Sequence, residues 1–238
     1  MHADFETILN WRLLIGSHPF PGPDGGTCIN EAAIVAAGLP YRAIRSSADC
    51  PPCFSRPVAA YALGLNDAMP DEARPQLMAF VLRLSGSADT PEIEAARTRR
   101  LALESIRRIL APLCQIAGMA EEAEACAAAP DLPAARAAAT AAAWRGGALS
   151  QAAAQARRWR EGALTAAVAR TATAAERAGA DARCAAKVAE GAAPFVPGTW
   201  SEACAILSTA LAIGRQAPEV ALAGAQARLD AARALAPA

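Results

Sequence analysis

Apolar residues recur three and four positions apart along most of the chain, a period that predicts helices rather than strands. Residues 4–14 predict a short first helix. Residues 31–37 predict a second one, because Thr27 can cap its start and Gly38 stands where a helix usually ends. Between these helices, residues 16–26 hold so many prolines and glycines that we expect an ordered loop.

Prolines mark the starts of the next predicted helices. One helix is predicted directly after Pro57, the next opens near Pro70, and the longest has Thr90 as its cap and Pro91 in its first turn. Pro112 lies inside the apolar pattern of this long helix. Because proline cannot donate the hydrogen bond that continues a helix, we expect a kink or an end there.

The composition changes beyond residue 110. Of the 67 alanines, 50 follow this point, and helical signals dominate with predicted breaks at Gly146-Gly147 and at residues 194–198. Alanine favours helices but offers little area to bury, so these helices must pack at close range or against the tryptophans. We predict an all-α protein with a compact helical head over residues 1–110 and an alanine-rich antiparallel helical bundle or arm over residues 111–238.

The charge balance excludes one class of partner. The chain carries 23 basic and 23 acidic residues and so lacks the strong positive charge of a general nucleic-acid binder. Charged residues interrupt every alanine-rich run before it reaches the roughly 18 apolar residues of a membrane span. Asp4 and Glu6 also stand where a secretory signal would be basic. We therefore expect a soluble cytoplasmic protein whose seven cysteines are thiols or metal ligands rather than disulfides.

Cys50 and Cys53 form a CxxC motif, a spacing that can place two thiolates on one metal ion. His18 and Cys28 would complete a tetrahedral set, which makes these four residues a candidate structural zinc site. Two alternatives stay open. The motif precedes a predicted helix, as in redox dithiols, although no buried strands flank it. The cysteines also fit small buried residues beside tight turns.

Cys28 lies in the first turn of the predicted second helix, where the helix dipole stabilises a thiolate. With His18 as the base and Asp49 as its partner, Cys28 would form a catalytic triad. The alternative interpretation is structural, with Cys28 packed beneath the loop and His18 capping a turn. Whether the chain is an enzyme stays open, and the sequence favours a non-enzymatic protein.

Three arginines surround a tryptophan in the alanine-rich half. Arg157, Arg158 and Arg160 flank Trp159, a combination that can stack on bases and contact phosphates. Because the chain has no net charge, the favoured interpretation is an ordinary exposed surface or one that faces a protein partner, and nucleic acid is the alternative.

A set of short motifs between residues 16 and 90 carries a resemblance. The motifs are Gly16-Ser17-His18, Cys28, Glu31-Ala32, Asp49-Cys50-Pro51, Cys53, Pro57-Val58 and Asn66-Asp67. In this pattern the chain resembles a group of bacterial and phage-borne proteins from high-GC genomes, which also have alanine-rich tails. The group often has tryptophan before the Asn-Asp pair, where this chain has Leu65. No activity is established for the group, so the resemblance implies a defined head domain and no particular function.

Thin catalytic signals and alanine-rich helical faces together favour a non-enzymatic interaction or structural protein. Alanine faces allow close helix–helix contact, so we expect a protein partner or self-association through these helices. The resemblance suggests a prophage or another mobile element as the source. Two alternatives remain: an inhibitor, of phage origin, that acts on a host defence complex, and a metal protein or cysteine-centred enzyme that uses Cys28, His18, Asp49 and the Cys50/Cys53 pair.

Overall fold

The computed structural model describes residues 11–17, 26–216 and 218–234, and helices are the regular structure of these ranges. No sheet forms among these residues, which confirms the predicted all-α class. None of the described helices is both long enough and apolar enough to cross a membrane.

Short loops, 3₁₀ helices and a π-helical turn connect the α-helices. The helices are α1 (Ile29–Ala36), α2 (Arg56–Ala68), α3 (Val81–Leu84), α4 (Pro91–Ser105), α5 (Ala111–Ile116), α6 (Ala120–Ala128), α7 (Leu132–Gln155), α8 (Trp159–Arg177), α9 (Ala182–Ala192), α10 (Thr199–Leu211) and α11 (Leu222–Ala234). Short 3₁₀ helices occupy Ser47–Asp49 and Arg74–Phe80, and a π-helical turn occupies Ile106–Leu110.

The chain divides into two compact units. The first unit contains the described residues up to Arg97 together with those from Leu211 onward, and the second unit is Thr98–Ala210. The domain boundary predicted after residue 110 therefore lies inside the second unit. The last described stretch of the alanine-rich half belongs with the first unit instead.

Polar side chains of the first unit hold the backbone of this C-terminal stretch. Arg97 is only 1% exposed and donates to the carbonyl oxygen of Ile213 from Nε at 3.2 Å and from Nη2 at 2.8 Å. Asp89 accepts the backbone N–H of Arg215 at 2.8 Å, and Arg228 of α11 donates to a carbonyl oxygen at the end of α1 at 2.8 Å. Because these contacts join residues far apart in the chain, a pattern of neighbouring residues cannot predict them.

The start of the first unit differs from the prediction. Residues 4–10 of the predicted first helix and residues 18–25 of the predicted loop lie outside the described residues. Residues 11–14 are not helical, because the N–H of Leu14 donates to the carbonyl oxygen of Thr27 at 2.9 Å in a short β-type contact.

Thr27 does not cap the second predicted helix. Its hydroxyl accepts a hydrogen bond from the indole N–H of Trp11 at 2.9 Å, and the cap of α1 is the next residue, Cys28. The end of α1 follows the prediction, since Gly38 adopts a positive φ of 73° just beyond the last helical residue.

Proline positions set the limits of the middle helices as predicted. α2 begins at Arg56 with Pro57 in its first turn, and α4 begins at Pro91. The segment that opens near Pro70 forms a turn and a 3₁₀ helix before α3 rather than one α-helix. The π-helical turn ends at Leu110, two residues before Pro112. Because the nitrogen of Pro112 carries no hydrogen, it cannot donate to the carbonyl oxygen four positions earlier.

The second unit contains an antiparallel hairpin of α7 and α8. Gly146 of α7 lies against Thr165 of α8, and Gly162 of α8 lies against Ala153 of α7. The predicted break at Gly146-Gly147 is wrong, because α7 continues through both glycines. Gly146 instead lets the two helices approach, since a Cβ at this position would lie 2.9 Å from the carbonyl oxygen of Thr165.

Small side chains fill the interior of this hairpin. The tryptophans do not contribute to it, since Trp144 is 79% exposed and Trp159 is 70% exposed. Of the two arrangements expected for alanine-rich helices, α7 and α8 therefore adopt close-range packing. The buried residues of the hairpin include Ala135, Ala138, Ala139, Ala142, Gly146, Ala153, Ala167, Val168, Ala172 and Ala175.

Candidate functional site

A buried carboxylate organises the part of the first unit where most of the predicted site residues lie. Glu31 is fully buried in α1 and accepts the backbone N–H of Ile44 at 2.8 Å and that of Cys28 at 3.0 Å. The hydroxyl of Ser17 donates to it at 3.1 Å, and the hydroxyl of Tyr41 also hydrogen-bonds to it. These hydrogen bonds join three chain segments around a buried carboxylate, so a structural role accounts for Glu31.

The surroundings of Cys28 are those of a protonated thiol. Cys28 is fully buried, and burial raises its pKa well above the ordinary value, with the nearby charge of Glu31 as the second cause. The expected effect of the helix N-terminus on a thiolate is therefore outweighed by burial and a neighbouring anion. His18, the proposed base, lies outside the described residues, so the triad stays a prediction whose nucleophile has unfavourable surroundings.

Asp49, the third member of the predicted triad, caps a 3₁₀ helix. Its Oδ2 accepts the backbone N–H of Arg45 at 3.0 Å and that of Ser46 at 2.8 Å. These hydrogen bonds, with the Ser46 bond as the larger cause, lower the pKa of the carboxyl group. Asp49 is thus an ionised turn cap, a structural role that the sequence analysis did not assign to it.

The CxxC motif forms a turn ahead of α2. The N–H of Phe54 donates to the carbonyl oxygen of Pro51 at 3.0 Å, and Cys50 is buried, which raises its pKa to about 12. The Sγ of Cys53 lies 3.9 Å from the hydroxyl oxygen of Ser85. Burial of Cys50 and the turn geometry of the motif therefore account for these cysteines without a metal ion.

The predicted zinc ligands do not come together as a set within the described part of the chain. No group of three or more histidine, cysteine, aspartate or glutamate side chains there has the arrangement that could hold a metal ion. Cys28, Cys50 and Cys53 lie in the described ranges, whereas His18 lies outside them. All seven cysteines of the chain lie in the described ranges, and none of them forms a disulfide.

The most unusual surface of the second unit lies on the exposed side of α7. Its exposed residues recur at intervals of four and three, and we call them the α7 stripe. None of them is charged, although helix surfaces that face water are normally polar. The members of the α7 stripe are Ala137, Ala141, Trp144, Ala148, Gln151 and Gln155.

Trp144 stands at the edge of a surface cavity of about 440 Å³ between α7 and α8. Gly147 and Ala148 form its α7 wall one turn further along the helix, and Thr173 and Glu176 form its α8 wall. A large apolar knob and a shallow groove therefore lie side by side on one helix pair. From the alanine-rich composition, the tryptophans were expected to pack between helices, although the neighbours of Trp144 in the stripe have the spacing of a helix-packing seam.

The tip of the hairpin carries the predicted basic cluster. Arg157 has a positive φ of 56°, which is unusual for a residue other than glycine, and it occupies the turn that ends α7. Arg158 pairs with Glu161 at 2.7 Å, and Arg160 and Trp159 are exposed. Part of the positive charge is thus balanced by a neighbouring carboxylate, which weakens the case for a phosphate contact.

The remaining cysteines lie within the second unit. Cys114 and Cys126 are fully buried, and their thiols contact each other. A hydrogen bond between the two thiols and burial raise the pKa of Cys114. Cys184 and Cys204 are partly exposed, and burial raises the pKa of both. None of these residues lies in a group that could hold a metal ion among the described residues.

Comparisons with known proteins give no match: no family model matches the chain, and neither a curated protein nor a solved structure does. The resemblance to phage-borne proteins therefore stays a prediction. A function for this chain has to be argued from its own surfaces.

Proposed function

We propose that the chain is a non-enzymatic interaction protein that binds a protein partner through the α7 stripe of its second unit. The observation that carries this proposal is Trp144, which is 79% exposed in the middle of an uncharged helix face. A tryptophan left in water forgoes the stabilisation that burial of a large aromatic side chain brings, and tryptophans are enriched at the centres of protein interfaces.

The rest of the stripe supports the same function. A helix that carries apolar residues on both its inner and its outer face is normally covered on both sides. α7 buries one small-residue face against α8, and its exposed stripe is uncharged, with three alanines and Trp144 among its six residues. Alanines next to Trp144 would let a partner helix approach closely, which is the contact that the alanine-rich composition favours.

The alternatives from the sequence have less support. The enzyme hypothesis needs an activated thiol, and burial holds the pKa of Cys28 well above its usual range. The nucleic-acid hypothesis rests on the hairpin tip, where Glu161 offsets Arg158. A phage-derived inhibitor of a host defence complex is a narrower form of the interaction function, and a cytoplasmic location suits it. No surface feature favours that partner over another.

A photo-crosslinking experiment tests the proposal. A photoreactive phenylalanine analogue replaces Trp144 in one full-length variant and Ala180 in a matched control, since Ala180 is exposed in the loop after α8. The expected result is a discrete protein adduct from position 144 that excess wild-type chain suppresses and excess Trp144→Ala chain does not. Equal, diffuse labelling from both positions would contradict the proposal.

A further inference from the structure

We infer that the partner at the α7 stripe is a second copy of this chain, bound with its α7 antiparallel to the first. This inference rests on the interaction function proposed above and names its partner. The reasons are the symmetry of the stripe, its lack of charge, and the position of the groove beside Trp144.

The stripe is symmetric about one point of α7. A two-fold axis beside Gly146 would pair residue 144 with residue 148 of the other copy, 141 with 151, and 137 with 155. Every one of these positions belongs to the stripe and is exposed. A two-fold dimer needs such a self-complementary surface, because each patch must bind its own copy.

Side-chain size fits this register. The one large residue of the stripe, Trp144, would face Ala148 of the other copy, beside the groove that Gly147 helps to form. Each alanine at 141 and 137 would face a glutamine. A parallel, in-register pair would instead place the two tryptophans against each other and leave both grooves without an occupant.

The charges around the stripe permit a like partner. No stripe residue is charged, so bringing two copies together places no like charges directly opposite each other in the seam. The nearby Arg145 is balanced within its own chain by Glu122 at 3.3 Å. A strongly acidic or basic partner would find little complementary charge on this face.

The size of the seam predicts a weak, reversible dimer. The seam runs from residue 137 to residue 155, which corresponds to about 27 Å of helix. Two tryptophans would add about 300–500 Å² of buried area. Stable interfaces bury about 1,200–2,000 Å². We therefore expect association at micromolar concentrations rather than a permanent dimer.

Sedimentation equilibrium of the full chain over about 1–300 µM tests the inference. We expect a reversible monomer–dimer equilibrium that Trp144→Ala weakens at least tenfold and Trp159→Ala leaves unchanged. Trp159 is the matched control because it is similarly exposed but lies outside the stripe. Thermal unfolding of each variant confirms that the fold is retained.

One double variant tests the orientation. In the antiparallel register, Ala141→Glu combined with Gln151→Lys creates two opposite-charge pairs, so the dimer should tighten about three- to tenfold. Ala141→Glu with Gln151→Glu should weaken it. In a parallel pair both double variants would create like-charge pairs and weaken association, which would overturn the proposed register.

The outcomes separate this inference from the proposed function. A chain that stays monomeric to 300 µM, or a dimer insensitive to Trp144→Ala, would overturn the second copy as partner. If position 144 still crosslinks to a different protein, the interaction function stands with another partner. If neither association nor a specific adduct is found, both proposals fail.

Discussion

The first unit packs large side chains around buried polar groups, whereas the α7–α8 hairpin of the second unit packs alanine and glycine and leaves its tryptophans in water. In the first unit, Phe54, Tyr61 and Leu77 are almost fully buried, as are the charged residues Glu31 and Arg97. In the hairpin, stability comes from short distances between backbones. A helical hairpin that needs no large side chains in its interior can present its tryptophans to a partner.

Removal of one buried guanidinium should have the largest effect on stability. Arg97→Ala deletes the donor that holds the carbonyl oxygen of Ile213 and removes the ion pair between this buried guanidinium and the partly buried carboxylate of Glu94. We expect the free energy of unfolding to fall by about 3–5 kcal/mol. Urea denaturation measures this, and Arg99→Ala, an exposed arginine of the same helix, should change it by less than about 0.5 kcal/mol.

An equal loss of unfolding free energy in Arg97→Ala and Arg99→Ala would show that the buried arginine does not hold the C-terminal stretch. The first unit would then owe its stability to apolar packing alone. The contrast between the units would be one of side-chain size rather than of polar organisation.

Thiol reactivity should distinguish Cys50 of the first unit from Cys184 of the second unit. Burial raises the pKa of Cys50 to about 12, whereas Cys184 of the second unit is partly exposed. At pH 8 we expect iodoacetamide to label Cys184 about a hundredfold faster than Cys50, because the thiolate is the reactive form. Mass spectrometry of labelled peptides measures both rates, and unfolding in guanidinium should remove the difference.

The sign of the pH effect on stability follows from the same shift. The folded pKa of Cys50 lies above an unfolded value of about 8.5. Its contribution to stability is therefore present below about pH 8.5 and is lost as the pH rises towards 12. Rapid labelling of Cys50 in the folded chain at pH 8 would contradict a buried, protonated thiol there.

Two adjacent glycines of α7 test the close packing of the second unit. A Cβ at Gly146 would lie 2.9 Å from the carbonyl oxygen of Thr165, whereas a Cβ at Gly147 meets nothing within 4 Å. We expect Gly146→Ala to destabilise the chain by about 1–3 kcal/mol. Gly147→Ala should stabilise it by about 0.5–1 kcal/mol, since alanine restricts the unfolded chain and glycine does not.

Dilute samples should be used for the two glycine variants, so that association does not add to the unfolding signal. Similar effects of Gly146→Ala and Gly147→Ala would mean that α7 and α8 are further apart than the contacts of Gly146 indicate. Thermal denaturation by circular dichroism is sufficient for this comparison.

The smallest effect on stability should come from the exposed tryptophans. Trp144→Ala and Trp159→Ala each remove a side chain that is mostly in water, so we expect changes within about 0.5 kcal/mol in the unfolding of the monomer. Trp11→Ala is the contrasting variant, because Trp11 is 3% exposed and its indole donates to Thr27. Trp11→Ala should lower the free energy of unfolding by about 3–5 kcal/mol. A large loss for Trp144→Ala would assign that side chain to the core.

Local signals in the sequence predicted the helix starts near Pro57 and at Pro91, because proline acts through its own backbone. At Pro112, where a kink or an end was predicted, a π-helical turn precedes the proline and α5 continues past it. They failed at Gly146, since the same lack of a side chain can break a helix or let another helix approach. The position of the C-terminal stretch depends on Arg97, and a buried arginine is indistinguishable from a surface one in sequence. For the candidate site, the spacing of the α7 stripe was visible, but which face of α7 is covered depends on tertiary packing.

The central claim is that Trp144 lies at the centre of an interface between two copies of the chain. The most direct measurement is fluorine NMR of the full chain labelled with 5-fluorotryptophan, recorded across a dilution series and assigned with single tryptophan-to-phenylalanine variants. We predict that the Trp144 resonance shifts most with concentration, and that the resonance of the buried Trp11 stays constant. The claim would be contradicted if the Trp144 resonance stayed unchanged while the chain associates. It would also be contradicted if the resonance of another tryptophan shifted more than that of Trp144.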